Sequence, residues 1–162
     1  VRWPFVKALA REQRDTLAQQ VQAEARKIGF DVVFDDATPN DYLPKILKGD
    51  YDLADFSWQR ADGDALRNLF SPESVPTPER FGQNLARYGD DEVAGRLDDA
   101  LNTTDLDERA ALYAKVQQKV NADTAVFPVY VFNYVLGASK KVHGIEWEPQ
   151  AYPTFYDAWV AK

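Results

Sequence analysis

The sequence has no cysteine and a single histidine, His143. The missing cysteine removes disulfides, thiolate nucleophiles and sulfur ligands together, without fixing the compartment. No apolar run is long enough to span a bilayer. Neither G-x-x-x-x-G-K nor G-x-G-x-x-G occurs, so no phosphate-cradling loop points to a nucleotide. No D-x-[DN]-x-[DN]-G calcium loop can be read, and no metal or other cofactor is implied. Positive charge is also scarce: 19 Lys and Arg stand against 26 Asp and Glu, a net charge of −7. Such a chain lacks the basic face that a nucleic acid or an anionic membrane would require. Repeats, Ser/Gly linkers and low-complexity tracts are absent. The chain opens at Val1 with no starter Met, basic n-region or apolar h-region, and so reads as cut from a longer polypeptide.

What is present suits one compact domain: 162 residues, 45% hydrophobic and 13% aromatic. The opening VRWPFV reads as a strand. Leu17, Val21, Ala25 and Ile28 share one face of a helix that Gly29 ends. Phe30, Val32 and Phe34 alternate with Asp31, Val33 and Asp35, the period of a strand with one buried face. Asn40 is placed to cap a short helix through Lys48, with Pro44 near its first turn and Gly49 after its end. Residues 51–58, YDLADFSW, read as a second internal strand, and the alternation of strand and helix predicts an α/β layer with mostly parallel pairing.

Further on, DALRNLF reads as a helix and residues 71–84 as a long loop. Val93, Leu97 and Leu101 mark one amphipathic helix. Leu106, Leu112 or Tyr113, Val116 and Val120 mark another, started at Leu106 by a capping box of Asp105 and Glu108. Residues 126–132 read as an apolar strand in which Pro128 demands an edge or a bend, and residues 134–138 continue it.

The chemistry of the residues favours binding over catalysis. A serine nucleophile needs a base, and His143 in SKKVHG reads as a solvated turn residue. Carboxylate pairs (Asp35/Asp36, Asp62/Asp64, Asp90/Asp91, Asp98/Asp99) could furnish a hydrolase acid and nucleophile, but their abundance makes each uninformative. Asp90/Asp91 fits a helix N-terminus and Asp98/Asp99 a solvated helix face. The stretch SWQRADGD is different: Trp58, Arg60, Asp62 and Asp64 put an indole, a guanidinium and two carboxylates just after a strand end, where ligands of open α/β sheets collect. Trp58 offers an apolar wall, an Asp a partner for an ammonium group and Arg60 one for a carboxylate. The same residues serve equally as a loop anchor and as acidic caps for the helix that follows.

Phrases in KIGFDVV (residues 27–33), ILKGDYDLADFSW (46–58), NLARYGDDEV (84–93), DLDERAALYAKVQQKVNADTAVFPVYVF (105–132) and KKVHGIEWEP (140–149) occur in the order of a known family. In them the chain resembles the C-terminal lobe of the extracytoplasmic oligopeptide-, dipeptide- and nickel-binding proteins of ABC importers, bacterial solute-binding protein family 5. The resemblance implies one lobe of a periplasmic-binding-protein type II-like α/β fold over residues 1–162, a mixed, mostly parallel sheet flanked by helices, as a fragment of a two-lobed receptor. It implies no catalysis; the partners would be a peptide or other small solute, the N-terminal lobe of the same protein and the ABC transporter permease subunits, with no nucleic acid. The location would be the periplasm or a cell-surface lipoprotein.

In peptide-binding relatives an Asp shortly after the tryptophan meets the ligand's α-ammonium group, and Asp62 is the nearest match. Here the W-x-x-D spacing is one residue longer, and the usual D-P is Asp64-Ala65. Asn84 matches a position near the cleft, with turn geometry as its other reading. The family's fold also resembles ligand-sensing domains fused to transcription regulators, a second functional reading.

Overall fold

The computed structural model describes residues 1–7 and 12–162. Strand β1 (Arg2–Phe5) leads to helix α1 (Glu12–Lys27), strand β2 (Val33–Asp36) and helix α2 (Pro39–Lys48). β1 and β2 pair in parallel, Arg2 opposite Val33 and Phe5 opposite Asp36. The crossover helix α1 covers one face of this pair. Trp3, Phe5, Ala18 and Val32 are buried there, with Val21, Ala25 and Phe34 packed around them. Trp3, Phe5 and Phe34 meet ring to ring at 5.3 to 6.0 Å. Ile28 and Phe30, expected in this core, are exposed, because the helix ends at Lys27 and the turn through Gly29 carries both side chains past the sheet.

Helix α2 is capped by Thr38 and not by Asn40. The Thr38 side chain accepts from the Asp41 N–H, and Pro39 takes the first helical position, where a missing N–H removes no intrahelical bond. Its other end follows the sequence reading: Gly49 is left-handed at φ 73°, and its N–H and that of Asp50 close on the carbonyls of Ile46 and Lys45.

Residues 51–58 do not form the expected strand. They do begin at the strand position on the far edge of β1: the Asp52 and Leu53 N–H groups donate to the Arg2 carbonyl, and the Arg2 N–H donates to the Asp52 carboxylate. Odd residues of β1 face β2, as the bonds from Val33 N to Val1 O and from Ala37 N to Phe5 O show. Arg2 and Pro4 therefore face the other edge. Pro4 has no N–H, so the ladder that Arg2 starts lacks its next donor.

The second core is helical. α3 (Ala65–Phe70), a 3₁₀ turn (Pro72–Ser74), α4 (Asp91–Asn102) and α5 (Leu106–Ala122) enclose Phe70, Val93, Leu97, Val116 and Val120. Leu101 and Leu106 are exposed, and Ala100 takes the buried place expected for Leu101. Both helices start on aspartates: Asp90 accepts from Val93 N, and Asp105 from Asp107 N and Glu108 N. The reciprocal half of the capping box is absent, since Glu108 accepts from the Thr103 hydroxyl instead.

After Ala125 no ladder forms among the described residues until β3 (Val142–His143), which pairs antiparallel with β6 (Trp159–Val160), while β4 (Glu146–Trp147) pairs antiparallel with β5 (Pro153–Thr154). Parallel and antiparallel pairs together make the fold mixed α/β. The apolar strand expected over residues 126–132 has no ladder partner among the described residues. His143 is exposed, in β3 and not in a turn, and stacks on Trp159 at 4.6 Å. No helix among the described residues is long and apolar enough to cross a membrane.

Candidate functional site

The residues singled out in SWQRADGD lie on one loop between the edge of β1 and α3. Trp58 is half-buried against Phe56, ring centroids 5.5 Å apart, and the Arg60 guanidinium lies 4.9 Å from the indole centroid. Phe56 and Arg60 are exposed. The indole N–H of Trp58 is out of solvent and has no hydrogen-bond partner among the described residues. Gln59 fastens this segment: its side-chain amide donates to the Gln150 carbonyl, and its Oε1 accepts from the Tyr134 hydroxyl at 2.8 Å.

Asp62 and Asp64 take different places in the loop. Asp62 is exposed; its Oδ1 accepts from the Asp64 N–H at 2.7 Å, which folds the loop back on itself. Asp64 stands at the N-cap position of α3 but makes no side-chain cap bond. Its carboxylate instead accepts from Arg67 Nε at 3.3 Å and from the Tyr113 hydroxyl at 3.5 Å. Burial, followed by the charge of Asp64, raises the Tyr113 hydroxyl above its ordinary value. Between the two aspartates, Gly63 lies so close to Tyr113 that a Cβ there would fall 2.4 Å from the ring. The glycine lets α5 brace the loop.

Asn84 is placed apart from this constellation and is fully buried. Its amide donates to the Ser71 carbonyl at 3.0 Å and the Tyr88 carbonyl at 2.8 Å, while its Oδ1 accepts from the Tyr88 N–H at 3.1 Å. Of its two readings, turn geometry accounts for these bonds; the amide is spent on the backbone of the long loop.

One further residue of this region is not marked by any sequence motif. Asp55 accepts from Arg14 through two nitrogens and from Trp3 Nε1 at 2.9 Å. Burial pushes its carboxyl up, and the hydrogen bonds from Arg14 and Trp3 more than offset this, holding it below the usual carboxylate range. The neighbouring Tyr42 hydroxyl is pushed up to about 12 by burial and by the charge of Asp55. The available signal is an acidic residue directly between Ala54 and Phe56 in the expected strand.

Chemically, the loop presents an aromatic wall, an exposed guanidinium and an exposed carboxylate along a few residues. Such a set can hold a small zwitterion by its charged ends and its apolar body.

No family model matches the chain. It is similar to a dipeptide-binding protein of Pseudomonas aeruginosa, 24% identical over 143 residues; the match covers 86% of this chain and 26% of that protein. Among solved structures it is similar to HbpA2 from Haemophilus parasuis, at a TM-score of 0.78 and 23% identity over 99% of this chain and 32% of that one. It is also similar to the periplasmic binding protein DppA from Helicobacter pylori in complex with the peptide STSA, at a TM-score of 0.65 and 27% identity over 76% of this chain and 24% of that one. The fold is thus that of the type II periplasmic binding proteins. These likenesses bear out the resemblance to solute-binding proteins of ABC importers. The chain spans about a quarter of the length of the curated relative it matches.

Proposed function

We propose that this chain is the C-terminal lobe of an extracytoplasmic solute-binding protein that captures a peptide or related small solute for an ABC importer, and that it is not an enzyme. The observation that carries the reading is the loop of Trp58, Arg60 and Asp62, whose charges are exposed beside an aromatic wall. On this reading the solute lies against that wall, Asp62 meets its ammonium group and Arg60 its carboxylate. Asp64 sets the loop through Arg67 and Tyr113, and Asn84 holds the long loop beneath.

The second lobe and the transporter's permease subunits are the protein partners. A feature of residues 126–136 supports a partner surface: exposure alternates along them, with Phe127 at 81%, Val131 at 90% and Val135 at 90% on one side. On the other side Phe132 is half-buried and the Tyr134 hydroxyl reaches Gln59. Apolar side chains left open on one side of an extended segment fit burial against another part of a two-lobed receptor. Ligand bridging both lobes would stabilise the closed state that the transporter reads.

The test is native mass spectrometry of the full-length protein freshly purified from its host. A released peptide or amino-acid-derived mass is the expected result. No adduct, no binding of a dipeptide mixture and a DNA-binding domain in the same polypeptide would replace the receptor by a ligand-sensing regulator.

A further inference from the structure

The loop of Trp58 and Arg60 cannot owe its position to sheet pairing. Its last ladder-like bonds to β1 are those of Asp52 and Leu53 to the Arg2 carbonyl, and Pro4 offers no donor beyond them. Something else must fix residues 54–60, because a binding wall free to move would lose affinity to the ordering of its own chain.

The next residue with several ties to the core is Asp55. Its Oδ1 accepts from Trp3 Nε1 at 2.9 Å and from Arg14 Nη2 at 2.8 Å, and its Oδ2 accepts from Arg14 Nε. Both oxygens are engaged, and the guanidinium binds by two nitrogens, so direction as well as distance is set. The donors are themselves packed on the core: Trp3 is buried in the core of β1, and the Arg14 side chain, 23% exposed, lies with its guanidinium 4.4 Å from the Phe5 ring centroid. The Asp55 carbonyl also accepts from the Tyr42 hydroxyl at 3.4 Å. On the far side, Gln59 is tied to Tyr134 and Gln150. Phe56 and Trp58 are strung between these two anchors.

We propose that Arg14, Asp55 and Trp3 form a clamp that positions the aromatic wall of the binding loop from α1 and β1, making them positioning residues for the solute. The clamp deepens the proposed function and rests on it only for what the loop binds. Its part is preorganisation: the ordering of residues 56–58 is completed before solute arrives.

The experiment uses the full-length protein labelled with 5-fluorotryptophan, the Trp58 resonance being assigned with Trp58→Phe and binding read with a dipeptide mixture. Asp55→Asn should shift and broaden the Trp58 resonance before any ligand is added and weaken dipeptide binding about tenfold, the scale of a supporting-residue effect. Arg14→Lys, which keeps the cation without the fork, should give a smaller change of the same kind, and it decides the matter if Asp55→Asn does not fold. Glu92→Gln, which removes a surface partner of Arg96 on α4, should leave the Trp58 resonance in place. An unmoved Trp58 resonance in Asp55→Asn and Arg14→Lys would overturn the clamp. If the wild-type protein binds no dipeptide and carries no solute, the receptor reading fails on its own, and the Trp58 resonance in apo protein still decides the clamp.

Discussion

The helical part of the molecule from α3 to α5 and the extended part from residue 125 onward are both rich in apolar side chains, yet they use them in opposite ways. In the helical part, Val93, Leu97, Val116 and Val120 are sealed against one another, and its polar periphery is closed too. Lys119 bridges Asp90 and Asp123, and Tyr88 donates to Asp123 at 2.6 Å. In the extended part, Phe127, Val131, Val135, Tyr156 and Trp159 are open. The difference is one of where the partners lie along the chain. Helices at 3.6-residue spacing bury one another within a few turns, whereas an extended segment needs neighbours that are distant in sequence.

The comparison can be broken at the helical side first. Leu97→Ala should destabilise the protein by about 2–5 kcal/mol in chemical denaturation, as a fully buried leucine does. A loss below about 1 kcal/mol would mean that this core is not the stable unit.

Acid gives the next test. Asp90 is held below the ordinary carboxyl value by its bond from the Val93 N–H and then by Lys119, and Asp123 by Lys119 and then Tyr88. Asp55 is held low in the same sense at the edge of β1. A carboxyl whose folded value is depressed contributes stability above its unfolded value, near ~4, and loses it as pH falls through the folded one. The melting temperature should therefore fall steadily from about pH 5 downward, and Asp90→Asn with Asp123→Asn should flatten that fall. An unchanged slope in the double variant would remove these groups from the account.

A smaller effect is expected at the helix start. Asp105→Ala should cost about 1 kcal/mol, the usual worth of an N-cap. Smallest of all, in residues 1–162 on their own, Val131→Ser should change stability by less than about 0.5 kcal/mol, because without the second lobe its side chain is in solvent. A loss comparable to that of Leu97→Ala would erase the contrast.

Local features were the ones legible in the sequence. Gly49 and Asp105 mark helix ends because caps act over three or four residues, and both stand where the spacing placed them. Thr38 and not Asn40 caps α2, and Pro39 is its signal, since a proline at the first helical position leaves the preceding residue to cap. Leu101 and Leu106 fit the apolar spacing but lie at helix ends, where the stripe has already turned away from the core. The expected strands at 51–58 and 126–132 failed for a non-local reason: period-two patterning announces an extended chain but says nothing of whether a donor row faces it.

At the site, the loop of Trp58, Arg60, Asp62 and Asp64 was visible as an unusual cluster after an apolar run. The backbone bonds of Asn84 were not legible, because they depend on Ser71, 13 positions away, and on the turn at Tyr88. Asp55 was hidden among 26 acidic residues, because what distinguishes it is Arg14, 41 positions away in the sequence.

Pro4 carries a consequence beyond the loop it displaces. An open strand edge is a template on which a second molecule can add its own strand, the first step toward insoluble assemblies. Pro4, fully buried at the middle of β1, withholds a donor from the edge along which residues 52 and 53 bond. Were that segment to peel away, a second strand would find no donor there to continue the ladder, so the imino acid guards this edge against pairing between copies.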